Sequence, residues 1–76
     1  MKIVIQELKE GGRSWTRESN ESDRNLAINH VVASIWGKRA FFWQDSELSF
    51  GYGQIMRPIG GDHSTSVTDR VRVDVE

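Results

Sequence analysis

The sequence predicts a small α+β domain in which one helix packs on a mainly antiparallel sheet of four to five strands. One stretch has helical periodicity, several short segments are rich in β-branched or aromatic residues, and glycine or polar turns separate these segments. With a single helix, the chain itself covers only one face of the sheet. The second face must therefore be polar or be covered by another molecule.

The first two strands are predicted near the N-terminus. A β-branched run, Ile3 to Ile5, indicates a strand over residues 2–8. The Gly-Gly pair that follows marks a turn, and a two-residue hairpin turn there would place Leu8 opposite Trp15. In that case residues 13–17 form a second strand, which brings the predicted total to five.

The helix is predicted over residues 21–36. Asn20 or Ser22 can cap its N-terminus, and Gly37 suits the position after its last turn. Apolar residues repeat at helical spacing and define the face that packs on the sheet. This predicted core face consists of Ile28, Val31, Val32, Ile35 and Trp36.

The opposite side of the helix is the first candidate interaction surface, because no charged residue lies between Arg24 and Lys38. Helix surfaces that face water more often carry Lys and Glu. The outer helix line consists of Leu26, His30, Ala33 and Gly37, flanked by Ala27 and Ser34. It either contacts a second copy or another protein, or it has no contact role, or it is partly covered by residues 57–67 of the same chain.

Three strands are predicted after the helix, at 39–44, 48–56 and 67–75. The first two are joined by a polar turn and form an antiparallel hairpin. In the last strand three valines alternate with charged residues, which predicts one buried and one solvent-facing side. If this strand lies at a sheet edge, it could pair with another chain, or its charged residues could guard against such pairing.

The hairpin of strands 39–44 and 48–56 is the second candidate interaction surface. Its candidate residues, with those beside it, are Trp36, Arg39, Phe41, Trp43, Phe50 and Tyr52. Side chains alternate along a strand, so Phe41 and Trp43 share one face and Phe42 takes the other. Gly51 and Gly53 either leave room for rings from the neighbouring strand or allow the sheet to coil. The rings either complete a core and a subunit interface, or form a stacking platform for nucleic acid or a planar ligand.

Composition excludes several function classes. Ten Lys and Arg against eleven Asp and Glu give a net charge of −1, which disfavours strong electrostatic binding to nucleic acid or to an anionic membrane. The chain has no cysteine for a disulfide or a thiolate metal site. No apolar run approaches the roughly 20 residues that span a bilayer, and the N-terminus lacks the apolar run of a signal peptide. A cytoplasmic location is expected.

No motif predicts catalysis, and neither a cofactor nor a metal is predicted. Asp62-His63-Ser64 holds the residue types of a hydrolase triad, but three consecutive residues cannot easily place the histidine between nucleophile and carboxylate. The glycine pairs in Gly51-Tyr52-Gly53 and Gly60-Gly61 are not followed by the helix, lysine and hydroxyl of a phosphate-binding loop.

The leading prediction is one domain over residues 1–76 that acts as a non-enzymatic protein-interaction module. It self-associates or binds another protein through the outer helix line, the aromatic hairpin, or both. Short cysteine-free chains of this kind are often accessory or inhibitory proteins of bacteria and mobile elements. The alternative is a nucleic-acid-binding domain that uses the aromatic hairpin with Arg39 and Arg57, and a third prediction is a planar small-molecule binder at a subunit interface.

Overall fold

The computed structural model describes residues 1–45, 51–60 and 64–76, and in these ranges one helix packs on one five-stranded sheet. The elements are β1 Lys2–Glu7, β2 Ser14–Glu18, α1 Arg24–Trp36, β3 Phe41–Gln44, β4 Tyr52–Pro58 and β5 Thr65–Val75. The predicted α+β class is confirmed, and the second strand of the N-terminal hairpin is present.

The strands are ordered β2-β1-β5-β4-β3, and every neighbouring pair is antiparallel. The C-terminal strand β5 lies in the middle, between β1 and β4, so the edge position under which it could pair with another chain, or guard against such pairing, does not occur. The edges of the described sheet are β2 and β3. The predicted alternation of β5 is confirmed, because Val71 and Val73 are buried while Arg70 and Arg72 are exposed.

The register of the first hairpin differs from the prediction. Ile5 lies opposite Trp15, so the strands are joined by residues 8–12 instead of a two-residue turn. Gly11 has a φ of 70°, a left-handed conformation that glycine adopts at low cost. The predicted pairing of Leu8 with Trp15 would put the indole on the side away from the helix, whereas the observed pairing packs it against the core. Burial of this ring decides the register.

The helix α1 begins at Arg24, later than the predicted residue 21, because Asp23 is the residue that caps it. The Asp23 carboxylate accepts a hydrogen bond from the backbone N–H of Leu26 at 3.0 Å. The helix ends at Trp36 as predicted, and Gly37 follows with a φ of 120°. Among the described residues, no helix has the length and apolarity needed to cross a membrane.

The core lies between α1 and the sheet. Its buried apolar residues are Ile3, Ile5, Ala27, Ile28, Val31, Val32, Ala40, Ile55, Val71 and Val73. Of the predicted helix core face, Ile35 and Trp36 are only partly buried at its margin. Ala27, predicted to flank the outer helix line, is fully buried, because it lies one turn before Val31 on the face that meets the sheet. The small side chain of Ala27 lets the helix approach the sheet closely.

In the second hairpin a glycine lies directly against an aromatic ring of the neighbouring strand. Strand β3 is shorter than the predicted 39–44, and residues 46–50, which include the start of the predicted strand 48–56, lie outside the described residues. Gly53 is buried beneath the ring of Phe42, since a Cβ at Gly53 would lie 2.7 Å from the Phe42 Cε1. The prediction that a strand glycine admits a neighbouring ring is confirmed here.

Candidate functional site

The candidate site lies on the open face, defined as the face of the sheet that α1 does not cover. On its β3–β4–β5 half, side chains of three adjacent strands form three cross-strand rows. These rows are Phe41–Met56–Val67, Trp43–Gln54–Arg70 and Asp45–Tyr52–Arg72. Neighbours in a row lie within contact distance across the strands. We refer to these residues as the open-face patch.

A β-bulge brings Val67 into the patch. Ile55 pairs with Asp69, but the next residue, Met56, pairs with Val67, so Thr68 is an extra residue in β5. Strict alternation would have put Val67 on the helix side together with the other valines of this strand. Because of the bulge, Val67 is 53% exposed on the open face and extends the apolar surface across the third strand.

The open-face patch is apolar at one end and accessible to solvent. Trp43 on the edge strand β3 is 63% exposed, while Phe41, Tyr52 and Met56 are half-buried beside it. Single exposed apolar residues are ordinary on protein surfaces, but a contiguous aromatic and aliphatic patch is typical of a contact site.

Two arginines and two aspartates complete the surface and are already paired within the chain. Arg70 Nη2 lies 3.7 Å from Asp45 Oδ2, and Arg72 Nε lies 3.1 Å from Asp74 Oδ2. The Arg72 guanidinium also lies 5.6 Å from the centre of the Tyr52 ring. With two charges of each sign, this part of the face carries little net charge.

Side chains protect both edges of the described sheet. The backbone N–H of Phe42 in β3 points away from β4 and donates to Asn29 Oδ1 at 2.8 Å. The carbonyl of Thr16 in β2 points away from β1 and accepts a hydrogen bond from Arg17 Nη1 at 3.0 Å. A strand added at either edge would have to displace these bonds. The open face is therefore a more accessible contact surface than the edges.

The structure brings together three of the six predicted residues of the aromatic hairpin, namely Phe41, Trp43 and Tyr52. Trp36 lies on the helix side, where its ring packs edge-to-face on Trp15 with 4.9 Å between ring centres. It does not join the open face, because the last turn of α1 holds it over β2. Arg39 is exposed in the connection between α1 and β3, and Phe50 lies outside the described residues, as do Asp62 and His63.

Arg57, a cation in the nucleic-acid alternative, also lies on the helix side. Its Nη2 would be 3.8 Å from a Cβ placed on Gly37, so the guanidinium lies beside the C-terminal end of α1. Positive charge is favoured there by the helix dipole. The rings of Trp43 and Tyr52 therefore lack this arginine as a neighbour.

The outer helix line is only partly a surface. Leu26 is 51% exposed and His30 is exposed, but Ala33 and Gly37 are half-buried. His30 Nδ1 lies 3.5 Å from Glu21 Oε1. An open groove of about 320 Å³ runs beside this pair. Its lining is mostly polar: Arg17, Glu18, Ser19, Asn20, Glu21, His30, Val31 and Ser34.

Sequence reasoning missed a buried carboxylate on the helix side of β1. Glu7 is 3% exposed, and its Oε1 accepts hydrogen bonds from Arg13 N at 2.6 Å and Arg13 Nε at 3.1 Å. Lys9 Nζ lies 3.4 Å from the other carboxylate oxygen. The hydrogen bonds from Arg13 hold the pKa of Glu7 far below its usual range. Burial and a hydrogen bond with Glu7 raise the pKa of Asp69.

The surroundings of Glu7 are those of a structural anchor. Its donors, Lys9 and Arg13, both lie in the connection between β1 and β2, so the carboxylate ties this connection to the sheet. In the described part of the chain, no three His, Cys, Asp or Glu side chains are grouped to hold a metal ion. A buried acid within six residues of an arginine is too common a pattern to single out Glu7 from sequence.

No protein-family model, curated protein or solved structure matches this chain. Its function must therefore be inferred from its own side chains and their arrangement.

Proposed function

We propose that this chain is a non-enzymatic protein-interaction module whose contact surface is the open-face patch. The observation that carries the proposal is the exposed Trp43 in an apolar surface that continues over three strands. Tryptophan and tyrosine are enriched at the centres of protein interfaces, since they bury a large area at a small cost in side-chain entropy. The cytoplasm is the proposed location, as the sequence predicts.

The outer helix line supports the proposal less well than the open-face patch. Leu26 is its one large apolar side chain, and Ala33 and Gly37 are half-buried by their own chain. The patch, in contrast, presents several large apolar groups side by side, which is the arrangement that expels water on binding.

Single-stranded nucleic acid is the second candidate ligand, because Trp43 and Tyr52 lie on an open sheet face where bases can stack. Charge weakens this candidate. Arg70 and Arg72 are paired with carboxylates, and the chain has a net charge of −1. Binding driven by so few free cations is expected to be nonspecific and to disappear by about 0.2 M salt.

Site-specific photo-cross-linking in cells of the source organism tests the proposal. A benzophenone amino acid is placed at Trp43, and, as controls, at Leu26 on the outer helix line and at Thr16 on the polar half of the open face. We expect protein adducts from position 43 and few from the two controls, because contact sites lie in the apolar patch.

Three results would count against the proposed function. Adducts removed by nuclease would favour the nucleic-acid candidate. Equal adducts from all three positions would indicate contact without a defined surface. The absence of any protein adduct at position 43 would remove the open-face patch as the contact site.

A further inference from the structure

We propose that the open-face patch binds a second copy of this chain around a two-fold axis that runs along β4. This inference rests on the protein-interaction function proposed above and names its partner. The two open faces would pack against each other like the sheets of a sandwich. Strands β3 and β5 flank β4 on opposite sides, so a half-turn about β4 places β3 of one copy over β5 of the other.

The apolar end of the patch is self-complementary under this rotation. Phe41 on β3 would meet Val67 of the second copy, because both belong to the row through Met56. In the next row, through Gln54, the exposed ring of Trp43 would meet Arg70 of the second copy. An arginine over an indole is a favourable pair, and it gains strength when both groups leave water.

The row Asp45–Tyr52–Arg72 is also self-complementary under this rotation. Asp45 and Arg72 lie on either side of Tyr52, so the rotation puts Asp45 of each copy over Arg72 of the other. Two symmetric ion pairs would form, next to the carboxylate and guanidinium groups that already accompany these residues within each chain. This arrangement favours a second copy as the partner, because a surface with two charges of each sign is opposed by its own rotated copy with opposite charges, whereas a partner of one strong charge would repel two of the four groups.

The axis strand fits the same arrangement. Residues on a two-fold axis meet their own counterparts, so a charged residue there would face a like charge. The open-face residues of β4 are Tyr52, Gln54 and Met56, and none is charged. A glutamine amide can donate to and accept from its own copy, and a methionine adapts its shape to the space available.

The size of the patch predicts a weak dimer. The patch spans three strands spaced about 4.8 Å apart and three rows about 6.8 Å apart. Its projected area is therefore roughly 300 Å². A standard stable interface buries about 800 Å² on each partner. We therefore expect a concentration-dependent dimer with a Kd between about 10 µM and about 1 mM.

A charge-swap experiment tests the arrangement by sedimentation velocity over that concentration range. Asp45→Arg and Arg72→Asp each create like-charge contacts at both symmetric positions, so each alone is expected to weaken association about tenfold. An equimolar mixture should regain wild-type association, because each variant supplies the charge that the other now requires. Arg39→Asp, away from the patch, is the matched control and should associate like the wild type. Mixing cannot restore an ion pair that a substitution has removed within one chain. Rescue in the mixture would therefore report a contact between two copies.

The outcomes separate this inference from the proposed function. A monomer of 8.7 kDa at the highest concentration, or association without rescue in the mixture, would overturn the two-fold dimer. If either charge variant fails to fold by circular dichroism, Trp43→Ala replaces the pair, and unchanged association of this variant would overturn the dimer. A monomer whose position 43 cross-links to a different protein contradicts the dimer and keeps the interaction module. A monomer that also gives no protein cross-link at position 43 contradicts both the dimer and the interaction module.

Discussion

Gly53→Val is expected to abolish or severely weaken folding. A Cβ at this position would lie 2.7 and 2.8 Å from the Phe42 ring and would clash with the carbonyl oxygen of Trp43. The carbonyl is backbone in the β3–β4 pair, so it cannot move without disturbing the hairpin. Overpacking typically costs about 1 to 3 kcal/mol, and more where the crowded atoms cannot rearrange. A chain of this length has only about 4 to 11 kcal/mol of stability in total.

Urea unfolding followed by tryptophan fluorescence measures this effect, and Gly60→Ala is the control. A Cβ at Gly60 meets nothing within 4 Å, but its φ of 61° strains an L-residue. The control is expected to cost about 1 to 2 kcal/mol from backbone strain alone. Gly53 has no positive φ, so its larger loss would come from crowding. A Gly53→Val variant as stable as the control would contradict the packing of Phe42 over this glycine.

Glu7→Gln is expected to lower the free energy of unfolding by about 1.5 to 3 kcal/mol at neutral pH, the range for hydrogen bonds to a charged group. The effect should depend on pH. Because the pKa of Glu7 is lowered in the folded protein, the stability it contributes is present above its unfolded pKa, about 4.3, and is lost as pH falls toward the folded value. The gap between wild type and variant should therefore narrow at about pH 3.

Asp69 has the opposite dependence and must be separated from Glu7. Its pKa is raised, so its contribution is present below its unfolded pKa, about 3.9, and is lost as pH rises through the folded value. At neutral pH that contribution is absent, and because Glu7 is one cause of the raised pKa of Asp69, the variant also removes the repulsion between the two carboxylates, which reduces the net loss. Urea titrations at pH 7 and about pH 3 measure the gap, with Glu10→Gln, an exposed residue of the connection between β1 and β2, as control. A gap of equal size at both pH values would contradict the lowered pKa.

Local patterns predicted the elements of this fold better than their limits. The end of the helix could be predicted from Gly37, whereas its start could not, because three closely spaced residues, Asn20, Ser22 and Asp23, have side chains that can cap. The first hairpin was placed nearly correctly, but its register depends on which side of the sheet Trp15 packs against, and turn residues alone do not specify that.

The strand order could not be predicted from the sequence, because it depends on contacts between distant segments of the chain. The alternating valines of β5 are compatible with an edge or a central strand, and only its pairing with both β1 and β4 distinguishes them. The nearness of Phe41, Trp43 and Tyr52 could be predicted, since a hairpin and side-chain alternation suffice. The presence of Arg70 and Arg72 in the patch could be predicted only with the strand order, and that of Val67 only with the bulge.

The protection of the edge strand β3 by Asn29 could not be predicted from the sequence either. An asparagine in an apolar helix is a visible signal, but its partner, the backbone N–H of Phe42, is thirteen residues away on the edge strand. That bond is one reason why the open face, and not an edge, is the surface proposed for binding.

Hydroxyl-radical footprinting of Trp43 and Leu26 compares the two surfaces in a single measurement. The protein is oxidised in intact cells and as a dilute purified sample, and modification of each residue is read by mass spectrometry. If the open face is the contact surface, oxidation of Trp43 should be lower in cells than in the dilute sample, while that of Leu26, which is also largely exposed, stays constant. Protection of Leu26 with Trp43 fully reactive, or protection of neither, would contradict binding through the open face.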